Sequence, residues 1–545
     1  MIRILFLGSS IFIISFECAR SQDFESKIDS LFQCYSHEKP GGQLAVSRDG
    51  RMIYSKAWGI ADLESNAPLS KESLIEAGSV SKQFTAAAVL LAERQGLLKL
   101  DDPVNKYIPE LPIHGKPILI RHLIHHTSGL REWSDIAEFA GWPEVLRVPN
   151  NGDVLNIICR QQSMNSVPGT EFRYSNSNYI LLTIIITRAS GMSFSDFTMK
   201  YIFQPAGMTH SSWRDDFGKV IPNRSKAYEV KNGKFRISMP DHSIHGAGGL
   251  LTTAEDLVSW NEFYLSAKMG NEALYDKQTA LDTLNDKSLN HYAAGLFIDS
   301  RSTRKPVFFH GGATNAYRAK LIASPAGGLS IAWLSNTSML DTVGIDPAAA
   351  VFDLLTTPDE QVAPQVMPVT AVKMDQAKLK SYAGYYKSAQ SARDVEITMD
   401  SRGLQLSDTP LDAISERQFR FHGIELSFNH ENELTVASPT GEPMQYHKVD
   451  TTVSNMPLDQ FIGTYFSGEV GAEIKIWKNN NSLEIVLVSG ATHPLESYAR
   501  DRFLIPGLKA DLTFKRNGKN NIDALELSTQ RSIKVLFKNR MPRQK

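Results

Sequence analysis

Apolar positions first recur with a helical period just after residue 23. Phe24, Ile28, Leu31 and Phe32 fall on one face of "DFESKIDSLFQCYS" and predict a helix. The pattern then shortens. "QLAVSRDGRMIYSKAWG" reads as a hairpin turning at Asp49-Gly50. Far downstream, "AKLIASPAGGLSIAWLSN" reads as a second hairpin turning around Pro325–Gly328. "DPAAAVFDLLTT" follows as a helix with Pro347 in its first turn. Helix, strand pair, long helical middle, strand pair, helix: this order predicts a mixed α/β domain over residues 22–356. Its central sheet would draw its two halves from opposite ends of the domain, with helices inserted between them.

The pattern changes again near residue 357. "TPDEQVAPQVMPVTAV" is punctuated by proline and reads as a linker over 357–370. Beyond it, short alternating strands with Gly, Asn and Asp turns predict an all-β tail. That tail repeats itself. "LKSYAGYY" and "LDQFIGTYF" align Leu379 with Leu458, Tyr382 with Phe461, Gly384 with Gly463 and Tyr386 with Tyr465. The same offset pairs Val395 with Ile474, Ile397 with Ile476, Leu404 with Leu483 and Leu406 with Ile485. Two copies of one barrel-like module are expected, over 371–450 and 451–545, because barrels remove exposed strand edges. The tail aromatics Tyr382, Tyr386, Phe461, Tyr465 and Trp477 are expected in the module cores.

The chain has 545 residues and a formal net charge of −1. That balance lacks the basic footprint selected by phosphate backbones, so no nucleic-acid partner is expected. The first residues read as a cleaved export signal over 1–21. Arg3 supplies the charge, Ile4 to Phe16 the apolar run, and Ala19-Arg20-Ser21 the small-x-small site. The run is shorter than the roughly 20 apolar residues of a bilayer span, so no transmembrane span is expected after cleavage. A periplasmic or secreted location follows. Glu17 before Cys18 is unlike a lipobox. The mature chain keeps Cys34 and Cys159, whose pairing the sequence leaves open.

Candidate chemistry begins at "GSVSKQFTA" (78–86), a Ser-x-x-Lys tetrad. Ser36–Lys39 and Ser302–Lys305 have the same spacing, but Ser36 ends a helical pattern and Ser302 lies in the polar run "DSRSTRK". Only Ser79 opens an apolar-faced helix, with Phe84, Ala87, Ala88 and Leu91 on one side and Gly96 placed to end it. Positions three apart share a helix face, so Lys82 can reach Ser79. The helix N-terminus offers free N–H groups to a developing oxyanion. Serine needs a base, and lysine serves as one only when its pKa is lowered. "EFRYSNSNY" supplies Tyr174 and Asn176 before a helix. "FFHGGATNAYRAKL" supplies His310 on a strand, with Gly311 and Gly312 allowing close approach and the Ala313 N–H as a second oxyanion donor. His122, His125 and His126 cluster, but without a full ligand set no metal is expected. No cofactor is implied. "GAGGLLTT" lacks the phosphate-loop spacing and reads as a tight turn near the cleft.

Ser-x-x-Lys, Tyr-x-Asn and His-x-Gly, in this order over about 40 to 355, resemble the serine β-lactamase and penicillin-binding-protein superfamily. The likeness is to its class C-like branch of D-aminopeptidases, D,D-carboxypeptidases and esterases. "RHLIHHTSGL", "PAGMTHSSW" and "GAGGLLTTAEDLVSW" support it. The resemblance implies a β-lactamase-like domain with a central antiparallel sheet and a helical insert, followed by two lipocalin-like modules. It implies that Ser79 is the acylating nucleophile and that Lys82 shares its proton. Tyr174 would be general base and then acid, and Asn176 would orient the substrate. The N–H groups of Ser79 and Ala313, beside Gly312, would form the oxyanion hole. His310 stands where penicillin-recognising members often carry lysine, and His-x-Gly is the D-aminopeptidase-like variant. The expected function is therefore an exported serine hydrolase acting on small peptides, amides or esters, cell-wall-derived ones among them. A β-lactamase or penicillin-binding carboxypeptidase is the alternative. A catalytically silent envelope-binding scaffold is the alternative outside the enzymes.

Overall fold

The computed structural model describes residues 24–35, 38–142, 148–265, 272–299, 306–339, 346–356, 376–388, 394–400, 403–406, 409–421, 424–430, 432–437, 444–449 and 457–540. The expected export signal, the linker over 357–370 and the Ser302–Lys305 tetrad lie outside the described residues.

The first body is built on a six-stranded antiparallel sheet. Its strands are β1 (Gly42–Arg48), β2 (Arg51–Trp58), β3 (Phe297–Asp299), β4 (Val307–Thr314), β5 (Tyr317–Ser324) and β6 (Leu329–Ser335). The spatial order is β3-β4-β5-β6-β1-β2, so the N-terminal hairpin is zipped onto the last strand, β6. This is the split sheet expected from the patterning. Both hairpins turn where predicted. Asp49 and Gly50 take φ of 51° and 76°, which the first turn requires, and Gly328 closes the second at 60°.

Each face of the sheet carries its own core. On one, Ile28 and Phe32 of the first helix meet Val351 and Phe352 of the helix Pro347–Leu355. The other face packs on the helical insert. There α1 (Ser81–Arg94) runs against α2 (Asn176–Ser190), and the Phe84 ring packs at a tilt against Trp260 of α3 (Ala254–Leu265). α1 ends as predicted: Gly96 sits at φ 73° and the Leu97 N–H bonds back to the Ala92 carbonyl. Cys34 and Cys159 are both free thiols.

The tail forms two further bodies. Residues 376–449 contribute a nine-stranded sheet whose end strands, Thr409–Pro410 and Asp412–Ala413, are separated only by Leu411. Residues 457–540 close an eight-stranded barrel. The duplication is visible in atomic detail. Tyr386 Oη donates to the Tyr382 carbonyl at 2.8 Å, and Tyr465 Oη donates to the Phe461 carbonyl at 3.0 Å, each from the first strand of its module. Four of the five tail aromatics are buried, but Trp477 is 49% exposed. In its strand, Ala472–Asn479, the inward parity belongs to Ile474 and Ile476, so position 477 faces out.

The barrel packs on the first body. Its core cluster includes Ile136, Phe139 and Ile157. Beside them a buried ion pair joins Arg131 Nη1 to Glu469 Oε2 at 2.7 Å. Among the described residues no single helix is long and apolar enough to cross a membrane.

Candidate active site

Ser79 lies in a tight 3-10 turn, Gly78–Val80, that leads into α1 rather than in α1 itself. The turn is pressed onto β4. A methyl group on Gly78, whose φ is 51°, would meet the Ala313 nitrogen at 2.6 Å. One on Gly312 would meet the Ala77 oxygen at 2.0 Å and the Ser79 nitrogen at 3.2 Å. Both glycines are therefore needed to bring the Ser79 backbone against the strand. β3 pairs with β4 only as far as Phe309, so the edge at Ala313 is left facing this turn. That juxtaposition puts the two expected oxyanion donors side by side.

Lys82, in the first turn of α1, is fully buried and sends Nζ to three oxygens. These are Ser79 Oγ at 3.1 Å, Asn176 Oδ1 at 2.8 Å and the Ala247 carbonyl at 2.7 Å. Asn176 Oδ1 and the Ala247 oxygen can only accept from it, so a neutral amine would spend its two hydrogens on them and aim its lone pair at the Ser79 hydroxyl. Burial pulls Lys82 down to about 7; Glu132 opposes the shift and Arg531 adds to it. Tyr174, just ahead of α2, lies with its ring 4.8 Å from Nζ. Burial pushes its phenol well above the ordinary value, with polar contact to Ser79 opposing. Lys82, more than Tyr174, is thus the group that can be a free base near neutral pH.

His310 sits in the same cluster, its ring centroid 6.3 Å from that of Tyr174. A carbonyl can only accept, so Nδ1 carries the proton that goes to the Gly311 oxygen at 2.6 Å. Nε2 then accepts from Tyr292 Oη at 3.1 Å. Both nitrogens are engaged, and burial lowers the ring pKa to about 3, so His310 is a neutral wall. The helix holding His122 ends at Ile124 and His126 takes φ 56°, so His122 and His126 do not share a helix face. His126 Nδ1 accepts from the Ser175 N–H and from Asn178 Nδ2, and its ring lies 4.3 Å from that of Tyr174.

The structure thus brings Ser79, Lys82, Tyr174, Asn176, His310, Gly312 and Ala313 to one place. It also adds residues that sequence patterning does not single out. Ala247, in the "GAGG" turn, supplies a carbonyl to Lys82. Tyr292 anchors His310. Glu132, fully buried, accepts from the Asn176 N–H at 2.6 Å and from Asn176 Nδ2 at 3.3 Å. Arg531, from the barrel, faces Glu132. A backbone carbonyl has no signature in sequence. Arg531 is distant in sequence and inside a repeat that reads as structural.

The Beta-lactamase family profile matches residues 26–355. A penicillin-binding protein of Bacillus subtilis (strain 168) is 27% identical over 332 residues, covering 58% of this chain and 72% of the relative. A D-aminopeptidase of Brucella anthropi is 28% identical over 288 residues, covering 52% of this chain and only 54% of that protein's length. Among solved structures, the octameric penicillin-binding protein homologue from Pyrococcus abyssi shares the fold. Its TM-score is 0.55 at 20% identity, over 86% of this chain and 98% of that one. With a serine, a lysine and a tyrosine gathered on this scaffold and the profile spanning the whole first body, the chain belongs to the beta-lactamase family of serine hydrolases.

Proposed function

We propose that the protein is an exported hydrolase that forms an acyl-enzyme at Ser79 and cleaves amide, peptide or ester bonds in small substrates. The observation that carries this reading is the Lys82 amine, buried, 3.1 Å from Ser79 Oγ, with its pKa lowered to about 7. Neutral Lys82 takes the Ser79 proton as Oγ bonds to the substrate carbonyl carbon. The carbonyl's electron pair moves onto its oxygen, which the N–H groups of Ser79 and Ala313 receive. Collapse restores the carbonyl and expels the amine or alcohol, protonated through Tyr174 from Lys82. Water then repeats the sequence on the acyl-enzyme and frees Ser79.

Neutral His310 supplies no cation for a substrate carboxylate. Arg531, the nearby guanidinium, already faces Glu132 and Asp135. Both favour a D-aminopeptidase-like or esterase-like substrate over a β-lactam, in keeping with the D-aminopeptidase relative. Labelling with a fluorophosphonate and peptide mass spectrometry should place the adduct on Ser79. Folded protein with no adduct there would end the hydrolase reading and leave the scaffold one. D-amino-acid amides and short esters should turn over faster than nitrocefin; the reverse ranking would make the protein a β-lactamase.

A further inference from the structure

The barrel's last loop is built into the wall of the catalytic cluster. It connects β7 (Ile522–Ser528) to β8 (Val535–Asn539). Side chains of the first body hold it by its backbone. Arg173 Nη1 donates to the Gln530 carbonyl at 3.0 Å and Asn165 Nδ2 to the Arg531 carbonyl at 2.7 Å. Arg131 Nη2 donates to the carbonyls of Ile533 and Lys534 at 3.0 and 2.9 Å. The Glu132 N–H donates to Ser532 Oγ at 3.1 Å. A loop fixed at every residue from Gln530 to Lys534 has little freedom in where it aims its one cationic side chain near the cluster.

That side chain points at Glu132. Arg531 Nη1 lies 3.5 Å from Glu132 Oε2, and Nη2 lies 3.8 Å from Asp135 Oδ1. Glu132 is completely buried, and a buried carboxylate without a counter-charge is costly. Its Oε1 accepts from the Asn176 NH2, and that bond turns Asn176 Oδ1 toward Lys82. A continuous chain therefore runs Arg531–Glu132–Asn176–Lys82–Ser79, from one folded body into the reacting atoms of another.

We propose that Arg531 is a positioning residue: the barrel supplies a cation against buried Glu132, and through Asn176 it sets how Lys82 is held at Ser79. The inference rests on the serine-hydrolase reading above. It adds to the family assignment, because the family profile ends at residue 355. The charged and titratable groups facing Lys82 are few. Glu132 stands across Asn176, with Arg531 and Asp135 behind it. The rings of Tyr174 and Tyr179 lie 4.8 and 5.6 Å from Nζ. His126 and His310 are kept neutral by burial. Tyr292 lies behind His310. Of these, Glu132 favours the ammonium and Arg531 disfavours it, so removing each should move Lys82 in opposite directions.

The test measures the rate of Ser79 labelling by a fluorophosphonate probe in the full chain, from about pH 5 to about pH 9. Labelling needs neutral Lys82 and so falls on the acid side. Arg531→Gln should move the midpoint of that limb up by about half a unit or more, because Glu132 then acts uncompensated. Arg531→Lys should restore it, and Glu132→Gln should move it down. Arg531 is 37% exposed on a loop, so its replacement spares the core and the Arg531 arms decide the matter even if Glu132→Gln does not fold. An unchanged limb in Arg531→Gln, a failure of lysine to rescue, or shifts of the same sign in both variants would overturn the inference alone. Failure of the wild-type protein to label at Ser79 would overturn the hydrolase reading and this inference with it.

Discussion

Gly312→Ala should disable the enzyme while Gly311→Ala, one residue away, should not. The contrast follows from the strand's alternation. A methyl group on Gly312 would lie 2.0 Å from the Ala77 oxygen, 3.0 Å from its carbon and 3.2 Å from the Ser79 nitrogen, whereas one on Gly311 meets nothing within 4 Å. A Cβ contact must open to at least 3.0 Å, so the turn holding Ser79 and β4 must separate by about 1 Å. That separation pulls the Ser79 N–H away from the Ala313 N–H and opens the oxyanion site between them. A misplacement of about 1 Å in a reacting geometry costs roughly 10²-fold, and removal of one oxyanion donor costs about 10²–10³-fold, or about 3–4 kcal/mol. Because the donors act on the transition state, the fall should appear in kcat with KM little changed. The assay is steady-state kinetics on a D-amino-acid p-nitroanilide and on p-nitrophenyl acetate, with thermal melts to confirm folding. Folded Gly312→Ala retaining kcat within about threefold of wild type, under about 1 kcal/mol, would refute the placement of the oxyanion site against this strand. So would an equal loss in Gly311→Ala, which has no backbone to displace.

Three further outcomes follow from other parts of the molecule. Arg131→Ala strands Glu469 in a buried site and uncaps two loop carbonyls; the barrel's docking should weaken by about 3–5 kcal/mol, read by denaturant unfolding, with part recovered in Arg131→Met/Glu469→Leu. Tyr386→Phe and Tyr465→Phe remove the same bond from the two repeats and should each cost about 1 kcal/mol in the melting of their own module. Activity should fall as pH drops through about 7, where Lys82 gains its proton, and His310→Gln should leave that limb in place, because His310 stays neutral until about pH 3. A limb that moved with His310→Gln would make the histidine, and not the lysine, the titrating base.

The fold was legible wherever local pattern and long-range pairing agreed. Asp49-Gly50 and Pro325–Gly328 announce hairpins because their backbone angles suit few other residues, and two hairpins at opposite ends of one domain have few ways to share a sheet. The repeat was legible because burial acts on matched positions, down to the tyrosines that bond back four residues. Where a single residue's parity decided the matter, composition misled: Trp477 looked like core by type, but its strand turns it outward. The helix expected to open at Ser79 begins at Ser81, because the positive φ of Gly78 spends the first residues on a tighter turn against β4.

The site divides along the same line. Residues that must be a given type to do chemistry carry their identity in the sequence, so Ser79, Lys82, Tyr174 and Asn176 could be found. What tunes them could not. The shift of Lys82 to about 7 comes first from burial, which no tetrad encodes, and then from the opposed charges of Glu132 and Arg531. Those two are separated by the whole linker and the first β module, and each alone reads as a surface charge. The same arrangement gives a physical reason to keep the barrel clamped to the catalytic body. With Glu132 completely buried, a barrel that lifted away would leave a carboxylate without its counter-charge next to Asn176. On the proposal above, docking and the setting of Lys82 share the Arg531–Glu132 contact, and loss of the barrel should be felt at Lys82 before it is felt in the fold of the first body.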